Sequence, residues 1–497
     1  MANYYSDLHC HSTLFNYNRQ LADAWDEHPN IIFPSQGDFS KLAKGKVRVV
    51  MVALYPIEQG FVTVRPLDLG TGEITDLLAG VIFGMPDERT DEIQDENHDY
   101  FDDFLKELNY LQASAYPVTH KVRVKPGKRI PFSYRIARDF QDIDNLLGLD
   151  DDFNPGSPAE DTIAVILTIE GGNTLGIGQV NTKLQDEAFL ETQLTGNIQK
   201  LKQLGPAGHE GDWCPFFITL SHHFWNQLGG HAISLWKVIR KVLDQTEGVN
   251  EDITPLGIRV VEELLSKENG QRRILIDVTH MSIKVRRWYY GYVAGRNIPI
   301  IASHTGANGK RTMTEAEITG NGRPVHDVAD EMYENSTNFN PWDQFLSDEE
   351  IETIHKSGGI IGLNMDQRIM MGKEKLDETK EKALGKLPKK SRQIWIKPLA
   401  DQLLYMAGIV LAGTEDSTVM WNSFSIGSDF SGMITPIKAF DDATTFPDLD
   451  ETLFNELMSR RESEIILAGI TEAEIREVVD KIMWKNNLRF LQKHFTI

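Results

Sequence analysis

Only two cysteines, Cys10 and Cys214, occur in 497 residues. That is too few for a disulfide framework or a thiolate metal site, and it fits a reducing compartment. Positive charge is also scarce: 51 Lys and Arg against 73 Asp and Glu give a formal net charge of -22. Such a surface repels phosphate backbones, so no nucleic-acid partner is expected, whereas a small-molecule substrate is. No Gly-x-Gly-x-x-Gly follows a strand-like run, which removes the usual sign of a dinucleotide cradle. No apolar stretch approaches bilayer length, and neither Met1-Ala2-Asn3-Tyr4-Tyr5 nor Leu491 to Ile497 reads as a leader or lipid anchor. The expectation is a soluble, cytoplasmic protein with no membrane partner, and a homodimer is left open.

What is present is a series of short β-branched runs bounded by turn residues and separated by helical patterns. They span Tyr4 to His9, Val47 to Tyr55, Thr162 to Ile169, Phe216 to Leu220, Arg273 to Thr279, Ile298 to Ser303, Gly359 to Asn364 and Phe424 to Ser428. Ser347 with Glu350, and Thr471 with Glu474, have capping-box spacing and announce two of the helices. Eight strands with intervening helices predict a single α/β chain folded as a (β/α)8 TIM barrel. The polar interval from 57 to 161 reads as an insertion after strand two, with a helix from Asp99 to Leu111 and a basic turn at Lys125 to Lys128. Residues 437 to 497 read as C-terminal helices packing on the barrel.

The chemistry-bearing residues fall where these strands stop. His9 and His11 stand two apart on a strand and so share a face, with Cys10 on the other. Glu170, His222, His280, His304 and Asp429 each follow a later strand, so closing the barrel gathers all seven at its C-terminal mouth. Neutral imidazoles and a carboxylate suit zinc, and four histidines with Glu170 as a bridge are enough for two ions. A hydroxide between two such ions is a nucleophile at neutral pH. Asp429 is then placed to take and return the proton, and His222 to steady the oxyanion.

Several segments resemble the renal (membrane) dipeptidase family of zinc peptidases, among the amidohydrolase-like barrels. They are Thr168-Ile169-Glu170-Gly171-Gly172, Ile218 to His222, Leu275 to Ser282, Ile300 to Thr305, Leu346 to Ile351, Gly358 to Asn364 and Ile426 to Gly432, with Leu467 to Ile475 and Asn486 to Arg489 near the end. The resemblance implies a zinc-dependent hydrolase cleaving a dipeptide or related small amide. It also implies that His9 and His11 hold one zinc, His280 and His304 the other, with Glu170 bridging, His222 touching the substrate carbonyl and Asp429 shuttling the proton.

The chain departs from that family in three places. It has His-x-His where His-x-Asp is usual, which makes the site one charge more positive. It has Gly-Ser-Asp-Phe-Ser-Gly where Asp usually replaces the second Ser. The arginine that holds the substrate carboxylate is missing from its usual place, with Arg311 or Arg323 as the nearest replacements. Asp7 to Thr13 also resembles the opening of PHP-type metal-dependent phosphoesterases, although their late Asp-x-His is absent at Asp429. A catalytically inactive metal-binding barrel is the third reading.

Overall fold

The computed structural model describes residues 4–25, 34–63, 84–154, 156, 161–179, 182–183, 185–414 and 419–496. Part of the expected insertion, 64–83, lies outside the described residues. Among the described residues ten strands are formed: β1 (Tyr5–Cys10), β2 (Val47–Leu54), β3 (His120–Lys125), β4 (Lys128–Ile136), β5 (Thr162–Glu170), β6 (Phe217–Thr219), β7 (Leu275–Asp277), β8 (Ile301–Thr305), β9 (Ile360–Leu363) and β10 (Phe424–Ile426). Eight of them run in parallel in the order β1-β2-β5-β6-β7-β8-β9-β10, and these are the eight predicted from sequence. Each is followed by a helix, for example Glu187–Lys202 after β5, Pro255–Leu265 after β6, Ile283–Val293 after β7 and Asp348–Lys356 after β8.

Both ends of the sheet meet at the site. The Asp429 N–H donates to the His9 carbonyl at 2.9 Å and the His11 N–H donates to the Phe430 carbonyl at 2.9 Å. The Ser428 N–H and hydroxyl both donate to the buried carboxylate of Asp7. This seam closes the chain into the (β/α)8 barrel. Its core is fully buried, with every residue of β2 inside and Val49, Val50, Met51 and Val52 at 0% exposure.

The sequence reading missed β3 and β4. They form an antiparallel hairpin across the predicted basic turn, and β4 lies parallel to the first half of β5, with Ser133 opposite Thr162 and Ile136 opposite Val165. Pro131 sits inside β4 opposite Lys121, and residues 121, 123 and 125 are charged and exposed, a pattern that resembles a polar loop. The predicted helix in this interval forms as Tyr100–Ala113, with Asp99 capping two backbone N–H groups. Both predicted capping boxes are present, each worth about 1 kcal/mol.

The expectation that no stretch could span a membrane needs correction. Among the described residues one helix, Pro388–Ala412, has that length and apolar content, although 61% of its most apolar stretch is buried in the molecule. It carries Trp395, Leu399, Leu403, Met406 and Val410 into the core, which explains its composition. The last helices cover the opening strand ends: Trp484 packs on Tyr4 with ring centroids 5.1 Å apart, and Asn486 donates to the carbonyls of Trp421 and Phe424.

Candidate metal centre

The barrel brings all seven predicted residues to one rim. His9 is the last residue but one of β1, with its imidazole buried, and His11 stands one residue past the strand. Cys10 points away, its thiol 3.6 Å from the carbonyls of Gly37 and Phe430. Glu170 is the last residue of β5 and His304 lies in β8. His222, His280 and Asp429 each stand three residues past β6, β7 and β10. All seven are buried, Asp429 being the most exposed at 7%.

Glu170 is the centre of the arrangement. Its Oε2 lies 2.8 Å from Nε2 of His11, while Oε1 lies 3.6 Å from Nε2 of His9, 3.7 Å from that of His280 and 3.4 Å from that of His304. Within the pairs, Nε2 of His9 and His11 are 3.2 Å apart, and Nε2 of His280 and His304 are 3.1 Å apart. Asp429 Oδ1 stands 3.9 Å from His9 and 3.7 Å from His11. Although buried, Glu170 Oε1 has no hydrogen-bond partner among the described residues. Four ring nitrogens and a carboxylate oxygen turned on one another are costly without a cation, and as a donor set they fit two divalent ions of the zinc type.

Side chains behind the imidazoles hold those nitrogens in place. The Ser303 hydroxyl donates to Asp277 at 2.6 Å and lies 2.8 Å from Nδ1 of His304 and 3.3 Å from Nδ1 of His9. The Gln344 side-chain amide lies 3.2 Å from Nδ1 of His280. Gln344 is itself anchored by Arg286, whose guanidinium donates to the Gln344 and Asp343 carbonyls and pairs with buried Glu350 at 2.7 Å. With its hydroxyl proton given to Asp277, the Ser303 oxygen accepts from Nδ1–H of His304 and, at longer range, of His9, which leaves Nε2 of those two as the free nitrogen.

The backbone is strained where the site needs it. His280 has φ 66° and Asp429 φ 59°, left-handed conformations that cost a non-glycine residue about 1–2 kcal/mol. Gly432 is required beside Asp429, since a Cβ there would stand 1.9 Å from its Oδ1.

Burial and charge separate the titrating groups. Burial would raise the Glu170 carboxyl, but His222, His9 and His11 outweigh it and hold the group well below the usual range. Asp429 goes the other way: burial, then repulsion from Glu170, lift it well above that range. Burial holds His280 and His304 well below the usual imidazole range and His11 below it, which favours the neutral form that ligates metal.

The centre opens into a cavity of about 1000 Å³, its open mouth included, walled by Leu14, Phe61, Leu235, Ile239, Phe345 and Met433. Arg311 and Arg323 are not among its lining residues; both are exposed, and Arg323 pairs with Glu331 at 2.8 Å. The guanidinium the cavity does have is Arg368, from the short helix Gln367–Met370 after β9. Asp366 grips it through Nε and one Nη, and it lies 4.8 Å over the Trp236 ring. Sequence reading missed it, although Asp366-x-Arg368 just past a strand end was a signal. It also missed Glu58, whose Oε2 lies 2.7 Å from Nδ1 of His222. Burial would lower the His222 pKa, but Glu170 and Glu58 beside it raise it instead.

No protein-family model matches the sequence, and no curated protein does. Solved structures match over its whole length. Dipeptidase AC, a metallopeptidase of family M19, is 15% identical, with 100% of this chain and 99% of the other covered and a TM-score of 0.50. A metallopeptidase from Rhodobacter sphaeroides, solved with a phosphinate mimic of the dipeptide L-Ala-D-Ala, is 14% identical over 100% of both chains, with a TM-score of 0.51. The probable dipeptidase PvdM of Pseudomonas aeruginosa is 16% identical over 99% of this chain and 96% of its own, also with a TM-score of 0.51. Identities this low carry the fold and nothing finer: over its whole length the chain has the same barrel fold as these metallopeptidases, as its motifs suggested.

Proposed function

We propose that the chain is a zinc-dependent hydrolase of small amides, dipeptides foremost. The observation that carries this reading is Glu170, whose two oxygens face different imidazoles, Oε2 toward His11 and Oε1 toward His9, His280 and His304. His9 and His11 would hold one cation, His280 and His304 a second, and Glu170 both. Bound there, the pair supplies Lewis acidity and brings the pKa of water toward neutrality.

The remaining steps belong to the side chains. Asp429, beside His9 and His11 and hydrogen-bonded by Asn364 at 3.3 Å, accepts a proton from the attacking water and returns it to the leaving amine. His222 directs Nε2 toward Glu170 and the cavity, where it donates to the carbonyl oxygen as negative charge builds there. Arg368 offers a guanidinium to a substrate carboxylate, and the apolar wall takes the side chains.

The test is metal content followed by a panel of dipeptides, their C-terminal amides and phosphate esters. About two zinc ions per chain with amide hydrolysis is the expected result, free acids being preferred over amides. Asp429→Asn should keep its metal and lose at least about 100-fold in kcat. Three ions with phosphatase activity would replace this reading by the phosphoesterase one, which the neighbouring trio His222, His223 and His280 favours. A protein that holds metal but turns over neither class of substrate would leave the catalytically inactive metal-binding barrel.

A further inference from the structure

The loop after β2 contributes a carboxylate that no metal-binding pattern requires. Glu58 is 4% exposed, and each of its oxygens is occupied. Oε2 accepts from the Tyr55 hydroxyl at 2.9 Å and from Nδ1 of His222 at 2.7 Å, and Oε1 accepts from the Phe224 N–H at 3.0 Å. The His223 N–H lies 3.4 Å from Oε2. The Tyr55 ring stands edge-on to His222, with centroids 4.8 Å apart and planes at 76°. This carboxylate is therefore fixed on three sides by groups other than the imidazole it meets.

An ionised carboxylate only accepts hydrogen bonds, so the His222 nitrogen facing Glu58 carries the proton. The opposite nitrogen, Nε2, is the one that stands 3.6 Å from Glu170 Oε1 and faces the cavity. We propose that Glu58 is a positioning residue: its carboxylate accepts from Nδ1 of His222, fixes the ring and so aims Nε2 at the substrate's carbonyl oxygen. Glu58 touches neither substrate nor cation; it acts through His222. This inference rests on the hydrolase reading for its catalytic consequence but not for the tautomer.

The alternative is that Glu58 merely ties the loop after β2 to the loop after β6, and a double-mutant cycle separates the two. Glu58→Gln in the zinc-loaded, full-length protein should lower kcat on a dipeptide about 10- to 100-fold, with KM and zinc content unchanged within about twofold. Glu58→Asp should recover part of the rate. In a His222→Gln background, Glu58→Gln should cost less than about threefold more. An equal loss in both backgrounds, or a parallel fall in zinc content, overturns the proposal. A second arm does not need turnover: long-range proton–nitrogen spectra of protein labelled with 15N-histidine, His222 being identified by its loss in His222→Gln. They should place the proton on Nδ1 in the wild type and redistribute it in Glu58→Ala. A wild-type His222 protonated at Nε2 alone overturns the proposal whatever the activity. A wild type with the Nδ1 proton but no amide hydrolysis overturns the functional reading and leaves the tautomer standing.

Discussion

The two imidazole pairs reach almost the same geometry by opposite means. His9 and His11 come from one strand edge, two residues apart, and the pleat of β1 alone turns them the same way. His280 comes from the turn three residues past β7 and His304 from β8, and they meet only because those two strands are neighbours. The first pair needs no unusual backbone, whereas His280 sits in a left-handed conformation and leans on Gln344, itself held by Arg286. Yet the Nε2 separations are 3.2 and 3.1 Å. The local pair is supplied by secondary structure, and the distant pair by packing that must be stabilised elsewhere.

Because Glu170 faces both pairs, Glu170→Gln should be the most damaging change and should erase the distinction. Metal affinity is expected to fall by more than about 100-fold at both positions, beyond what outer-shell changes cause, with amide hydrolysis lost. If calorimetric zinc titration shows one ion still held tightly, the carboxylate is not shared.

Ser303→Ala reaches both pairs more gently, since its hydroxyl contacts Nδ1 of His304 and, less closely, of His9. A loss of about 10- to 100-fold in zinc affinity is expected, larger for the ion on His304, measured by competition with a chelator. An equal effect on both ions would mean that the longer contact matters as much as the shorter one.

The smallest effect sharpens the contrast through acid stability of the metal-free protein. His280 and His304 have imidazole pKa values held well below the ordinary one by burial. A depressed folded-state value means the stability they contribute is complete above the unfolded pKa and is lost as pH falls below it. Each contributes a slope of up to about 1.4 kcal/mol per pH unit below about pH 6.5. His280→Asn should flatten the decline in denaturant midpoint between pH 7 and 5. His11→Asn should flatten it less, because its 2.8 Å contact with Glu170 offsets part of the burial. Equal flattening would remove this difference between the pairs.

The same contrast explains what could be read without coordinates. His-x-His is a local pattern, and seven of the eight barrel strands were marked by apolar runs that end in a polar residue, the second being stopped by Pro56 instead. Glu170, His280, His304 and Asp429 were legible because barrel topology sends strand ends to one rim. Glu58 was not, because it lies past Pro56 in a loop and its partner is 164 residues away. Arg368 sits on a helix of 4 residues, too short for any periodic signal, so attention went to Arg311 and Arg323, which are exposed. The hairpin of β3 and β4 escaped because its charges face solvent and Pro131 interrupts the pattern.

The seam that closes the barrel has a consequence for how the protein is born. Asp7 and Ser428, joined there, are 421 positions apart. At ordinary ribosomal speeds the first histidines emerge roughly 20 to 80 s before Asp429 is made. Through that interval the partner of Asp7 does not yet exist, so the rim that seats His9 and His11 cannot be sealed until the last strand docks.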